Sequence, residues 1–176
     1  MRIWYDTEFI EDGRTIELIS IGMVREDDAE LYFVSDSAGV MRRAVEHDWL
    51  RENVVPGLPV TFRRRPLAWN WDQKHPDYPR VASARIIAAA VRGFILSVPD
   101  PQLWAWYAAY DHVALCQLWG RMTDLPEGVP MWTNDLKQEA ERLGNPRVPQ
   151  QADGQHNALA DARHNRVIAD FLAARA

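Results

Sequence analysis

Cysteine is nearly missing from this chain: Cys116 stands alone among 176 residues. That excludes an internal disulfide and any cysteine-based zinc site, and it fits a reducing compartment. Lysine is almost as scarce, with only Lys74 and Lys137, so arginine carries nearly all the positive charge. No apolar run approaches the ~20 residues of a membrane span. No secretory leader pattern precedes the first predicted strand. Linkers, internal repeats and low-complexity tracts are lacking too. The expectation is one domain over residues 1–176, cytoplasmic and without a membrane segment. The formal net charge of −5 argues against broad electrostatic gripping of duplex nucleic acid. It leaves room for a pocket that takes a few nucleotides at a chain end, where bound metal ions would reverse the local sign.

What is present begins with an ordinary apolar fraction of 47%, enough for a sizeable core at this length. Arg2-Ile3-Trp4-Tyr5 reads as a strand by its β-branched and aromatic content. Asp12-Gly13 signals a hairpin, and residues 15–24 read as a long buried strand. Residues 30–34 complete a meander. Residues 40–52 show helical spacing, and residues 56–82, rich in proline, read as irregular. That stretch also carries Arg63-Arg64-Arg65, Trp69 and Trp71. A helix is predicted over 83–95, a buried strand over 103–107 and a helix from about residue 110. A short strand over 131–133, a helix over 135–143 and a last helix from about residue 157 follow. Strands first, then helices alternating with strands, indicate one α/β sheet with helices on its faces.

Four acids stand out against this frame. Asp6 and Glu8 share one strand two residues apart, so their side chains point the same way. Adjacent carboxylates repel unless a cation lies between them, and a hard divalent ion bound through oxygen is the natural one. Asp111 follows the buried strand 103–107, where an acid also suits a helix N-terminus. Asp161 lies early in the last helix, five residues after His156. Each of these taken alone is compatible with a solvated surface.

The combination resembles the DEDDh family of 3′–5′ exonucleases. The first motif is Asp6-Thr7-Glu8-Phe9, followed by a strand containing Ile19-Ser20-Ile21-Gly22. The second is Ala108-Ala109-Tyr110-Asp111 with Leu115 downstream; it lacks the asparagine commonly found before the aspartate. The third, His156-Asn157-Ala158-Leu159-Ala160-Asp161, has the family's spacing. Within the family, the small size, the tryptophan-rich middle and Asp-Thr-Glu-Phe look most like a small actinobacterial branch specific for polyadenylate.

The resemblance implies an RNase H-like α/β fold: a mixed five-stranded sheet with helices on both faces. It implies a metal-dependent 3′–5′ exoribonuclease that takes the 3′ end of single-stranded RNA, with adenylate preferred, and acts as a homodimer. The implied metal ligands are Asp6, Glu8, Asp111 and Asp161, holding two Mg2+ ions for which Mn2+ can substitute. Oxygen donors without cysteine suit those metals better than zinc. Glu8 and His156 would be catalytic, His156 by taking the proton of the attacking water, work that suits an imidazole near neutral pH. Asp6, Thr7, Glu8 and Phe9 would meet the terminal nucleotide, Thr7 through its backbone and Phe9 by packing on base or sugar. An oligoribonuclease, a DNA-proofreading exonuclease and a silent RNA-end-binding module stay open as alternatives. For the homodimer, Leu115, Leu118, Trp119, Trp69 and Trp71 offer an apolar patch, or else ordinary core.

Overall fold

The computed structural model describes residues 1–175. Three strands open the chain: β1 (Arg2–Glu11), β2 (Ile16–Arg25) and β3 (Glu30–Ser35). They pair as an antiparallel meander. The first turn forms where Asp12-Gly13 predicts it. Gly13 takes φ 78°, and the backbone N–H groups of Arg14 and Thr15 donate to Asp12 Oδ1 at 2.9 and 2.8 Å. This is the local side-chain turn that Asp favours.

Helices α1 (Ala38–Glu46) and α2 (Asp48–Asn53) replace the single helix expected over 40–52. His47 breaks it: its backbone is extended, and its ring accepts from Leu50 N–H at 3.3 Å as the cap of α2. The segment read as irregular contains a hairpin of its own, β4 (Val60–Arg64) and β5 (Leu67–Trp71). Proline had argued against strands there. Pro66 falls in the hairpin turn and Pro59 just before β4, so neither has to donate within the ladder.

The remaining elements are β6 (Val81–Ala82), α3 (Ala84–Leu96), β7 (Gln102–Ala105), α4 (Ala109–Cys116), β8 (Asn134–Asp135), α5 (Leu136–Arg142) and α6 (Ala158–Ala173). The main sheet has the order β6-β3-β2-β1-β7-β8. β7 and β8 join in parallel, so the sheet is mixed, with helices on both faces as expected. A two-residue strand, β6, adds a sixth at the edge. The fifth predicted strand lies at 134–135 rather than 131–133. Residues 131–133 instead form a loop tied down by its own hydrogen bonds.

One face of the sheet carries Ile3, Tyr5, Ile21 and Met23 against α3 and α4. On the other, Trp4 packs under α5 and α6, and Ile19, Tyr32 and Val34 pack under α1, α2 and the start of α6. Of the apolar residues suggested for a dimer, Leu115 is fully buried, Leu118 and Trp119 are partly buried against the first cluster, and Trp69 and Trp71 are partly buried against the cluster under α1 and α2. Among the described residues, no helix is long and apolar enough to cross a membrane.

Candidate active site

Alternation along β1 sorts its side chains. Trp4, Asp6 and Glu8 face α6, while Ile3 and Tyr5 face α3 and α4. Asp6 and Glu8 therefore share a face, as the spacing predicts. β7 pairs with β1 only through Arg2, Ile3 and Trp4. Beyond Trp4 that edge of β1 is open, and α4 comes up beside it. Thr7 closes the gap: its N–H and its hydroxyl both donate to Asp111 Oδ1, at 2.8 and 2.7 Å. Asp111 is thereby delivered to the site, buried at 6% exposure. The Thr7 N–H and hydroxyl are thus both engaged by Asp111, and its side chain is buried.

Asp161 arrives from the opposite direction. Gly22 lies across from Asp6 in the β1–β2 register. A Cβ there would stand 2.3 Å from Leu159 N and 2.4 Å from the Ala158 carbonyl. The first turn of α6 thus rests directly on the sheet backbone, which only glycine permits. Asn165 anchors the next turn by donating to the Tyr5 carbonyl at 3.0 Å. Asn157 caps the helix by accepting from Ala160 N–H at 3.1 Å. Just before the cap, His156 takes φ 63°, an uncommon conformation for a residue with a side chain. The kink turns its N–H onto Asp161 Oδ2 at 2.9 Å. Its ring meets the Trp49 ring edge-on, with centroids 4.8 Å apart.

Two of the four acids and the histidine come within ligand distance, while Asp6 and Asp111 stand outside that group but close enough for their charges to act on it. One ligand atom from each of Glu8, His156 and Asp161 lies within 4.8 Å of the others. Burial raises the Asp6 pKa well above the carboxylate range, and the charges of Asp111, Glu8 and Asp161 raise it further. Burial, then Asp161 and Asp111, push Glu8 to about 8. Burial lifts Asp111 to about 6 against the pull of the two Thr7 hydrogen bonds. Asp161 is raised by burial, with Gln151 and the His156 N–H opposing. Among the described residues, no arginine or lysine forms an ion pair with any of the four. Buried acids without a counter-charge are what a divalent cation would relieve.

A cleft of about 570 Å³ opens over Asp6, His156 and Asp161 and runs along α6 past His164. Trp106 and Gln151 line it as well. Phe9 stacks on Tyr110, with centroids 5.9 Å apart and planes within 9°. Tyr110 is more than half exposed, so the pair offers an aromatic surface beside Asp111. Sequence reasoning missed Trp49, Trp106, Gln151 and Tyr110 as site residues. Only Tyr110 carried a signal, its place next to Asp111. Of the other histidines, His112 is structural. Its Nε2 meets the Met131 carbonyl at 2.9 Å and so donates, leaving Nδ1 to accept from Thr133 Oγ1 at 3.0 Å. Tyr5 in turn bonds Thr133 Oγ1 at 2.7 Å. Burial pushes the His112 pKa down, which keeps it neutral in this chain of bonds.

Known proteins can be set beside this geometry. No family model matches the chain. Among curated proteins, the 3′–5′ exoribonuclease Rv2179c of Mycobacterium tuberculosis is 45% identical over 165 residues, covering 93% of this chain and 88% of the relative. Its counterpart from a second strain of that organism matches equally. Among solved structures, S. pombe Pop2p in its Mg2+- and Mn2+-bound form aligns with a TM-score of 0.49 at 13% identity, over 99% of this chain and 82% of that one.

Proposed function

The chain belongs to the family of the mycobacterial 3′–5′ exoribonucleases that it matches, and from that premise we propose that it shortens single-stranded RNA from the 3′ end, releasing 5′-mononucleotides and preferring polyadenylate. The observation that carries the reading is the group Glu8, His156 and Asp161, with Asp6 and Asp111 near enough for their charges to act on it and no arginine or lysine paired with any of the four acids. This donor set fits a hard cation. Asp6, Glu8, Asp111 and Asp161 would hold two divalent ions, Mg2+ with Mn2+ able to substitute. Such ions, when bound, supply an acidified water and neutralise phosphate charge.

The chain's own residues do the rest. His156 accepts the proton of the attacking water, with Glu8 and Asp161 oxygens close by to orient it. Water oxygen bonds to phosphorus, the bond to the 3′ oxygen of the preceding nucleotide breaks, that oxygen takes a proton from solvent to become the new 3′ hydroxyl, and a 5′-monophosphate leaves. Trp49 fixes the His156 ring, and Phe9 with Tyr110 packs on the terminal base. A homodimer belongs to this reading. Its surface would draw on the partly buried Leu118, Trp119, Trp69 and Trp71 or on the exposed Met131 and Trp132. Sedimentation at micromolar concentration tests that part, and a monomer there removes it.

For the activity, a 5′-labelled oligoadenylate in Mg2+ should shorten by single nucleotides, and a 3′-phosphorylated one should resist. Equal cleavage of blocked and free ends removes the exonuclease reading. Equal rates on oligouridylate remove only the base preference, and preference for the DNA equivalents moves the substrate class. Asp6→Ala and Asp161→Ala should abolish hydrolysis with the fold retained. Near-normal turnover in either one overturns the metal assignment.

A further inference from the structure

The hairpin β4–β5 stands apart from the main sheet and has two unlike faces. Cross-strand pairing sets Val60 beside Trp71 and Phe62 beside Trp69. These four pack inward on the core layer under α1 and α2. The other face sets Thr61 beside Asn70 and Arg63 beside Ala68. Together with Phe62 they line an open hollow of about 420 Å³. The inner face accounts for the hairpin's stability. Nothing in the fold requires arginine on the outer one.

The three arginines differ in their partners. Arg64 pairs with Glu52 of α2 at 3.5 Å. Arg63 and Arg65 are exposed and form no ion pair among the described residues. Two uncommitted guanidinium groups thus project from a protein whose formal charge is −5. Helix α2 places them. Its Trp49 touches the His156 ring, and its Glu52, one turn further on, reaches Arg64. The segment between α2 and β4 also reaches the site, since Gly57 lies beside the Asn157 amide that caps α6. Helix α2 and the segment after it thus link the hairpin to the His156 edge of the cleft.

We propose that the outer face of this hairpin holds the phosphodiester backbone of single-stranded RNA upstream of the 3′ end in the cleft. The proposal rests on the exoribonuclease reading of the cleft. Guanidinium groups match phosphate oxygens bidentately. The Thr61 hydroxyl and the Asn70 amide suit phosphate and sugar contacts. The one aromatic of its lining, Phe62, is half-buried and packs on the core, so the hollow's polar groups address the RNA backbone rather than its bases. It also opposes a local difficulty: the acids of the cleft repel RNA, and charge at the hairpin draws the strand in.

The test compares Arg63→Ala/Arg65→Ala, Arg64→Ala and wild type on a ribodinucleotide and on a strand of roughly a dozen nucleotides. For the long strand the double variant should raise KM about tenfold with kcat unchanged, and for the dinucleotide change neither. Its salt slope for binding the long strand should fall by about 0.7 per arginine removed. Arg64→Ala should behave as wild type. Equal effects on both substrates, no effect on either, or an Arg64→Ala shift as large as the double variant's would each overturn the proposal. So would a change in sedimentation of the double variant, which would make the face an interface between copies. Fluorescence anisotropy of the long strand in Ca2+ separates this proposal from the one beneath it. Binding that depends on Arg63 and Arg65 without any hydrolysis in Mg2+ removes the exoribonuclease reading and keeps the hairpin contact. Hydrolysis that ignores both arginines removes the hairpin contact alone.

Discussion

Thr7 and Asp111, more than a hundred residues apart in sequence, are joined by two hydrogen bonds to a single carboxylate oxygen. Among the described residues no other side chain bonds the Asp111 carboxylate. Thr7 sits between two acids on β1, so the same three residues present Asp6 and Glu8 to one side and clamp Asp111 from the other. Thr7→Val keeps the N–H bond and loses the hydroxyl bond, which as a hydrogen bond to a charged group contributes about 1.5–3 kcal/mol. The variant should unfold at lower temperature and need several-fold more Mg2+ for half-maximal activity. Titration of activity against Mg2+, alongside calorimetry, checks both.

His156 is separable from the carboxylates. A general base contributes ~10²–10⁴-fold to rate, whereas its ring has no part in seating α6, which Asn157 and Asn165 do. His156→Ala should therefore lower kcat within that range and leave nucleotide product binding nearly unchanged. His112→Ala should instead cost stability, because it unties Thr133 and Met131. Single-turnover rates and melting curves for these two variants and His164→Ala decide the assignment. A loss below about tenfold in His156→Ala, with collapse in His164→Ala, moves the role to His164.

The acidic cluster makes the metal-free protein pH-sensitive. Glu8 and Asp111 have folded-state pKa values raised to about 8 and about 6, above ordinary carboxylate values. Raised acids favour folding while protonated. Their contribution is complete below the unfolded pKa values and is lost as pH rises through the folded ones. Without divalent ions, stability should fall between about pH 4 and pH 8, by on the order of a few kcal/mol. Glu8→Gln should flatten the upper part of that fall, and Mg2+ should offset it in the wild type. Urea titrations across the pH range with and without Mg2+ measure this; a metal-free stability that rises toward pH 8 would contradict it.

Gly22→Ala should damage fold and site together. The added Cβ meets backbone at 2.3–2.4 Å, and backbone cannot rotate aside as a side chain can. Overpacking of this kind costs about 3 kcal/mol or more. Lifting α6 also carries Asp161 and His156 away from Glu8. Activity should fall further than the lost stability alone explains at a temperature where the variant remains folded.

Much of this was legible in the chain. The period-two placement of Asp6 and Glu8 and the helical stretches with clear spacing fold as read, because local pattern and burial agree there. The misreadings have a common cause. The β4–β5 hairpin was hidden because Pro59 and Pro66 look like breakers until their positions outside the ladder are known. The bonds from Thr7 to Asp111 had no local signal, because the partner is supplied by another element. Trp49 and Gln151 had no local signal: each reaches the site only through the packing of α2 or of the loop before α6. Gly22 was read only as part of a buried strand, since its role depends on what lies across it.

The seat that Gly22 offers to α6 also sets when the site can exist. A chain growing from the ribosome has β1, β2 and the Thr7–Asp111 clamp within reach long before residues 156–161 are made. Until α6 settles on Gly22, Asp6 and Glu8 face an empty groove, with neither Asp161 nor His156 beside them. Two of the five residues that converge here are therefore the last to arrive, and the cleft is complete only when the final helix has docked.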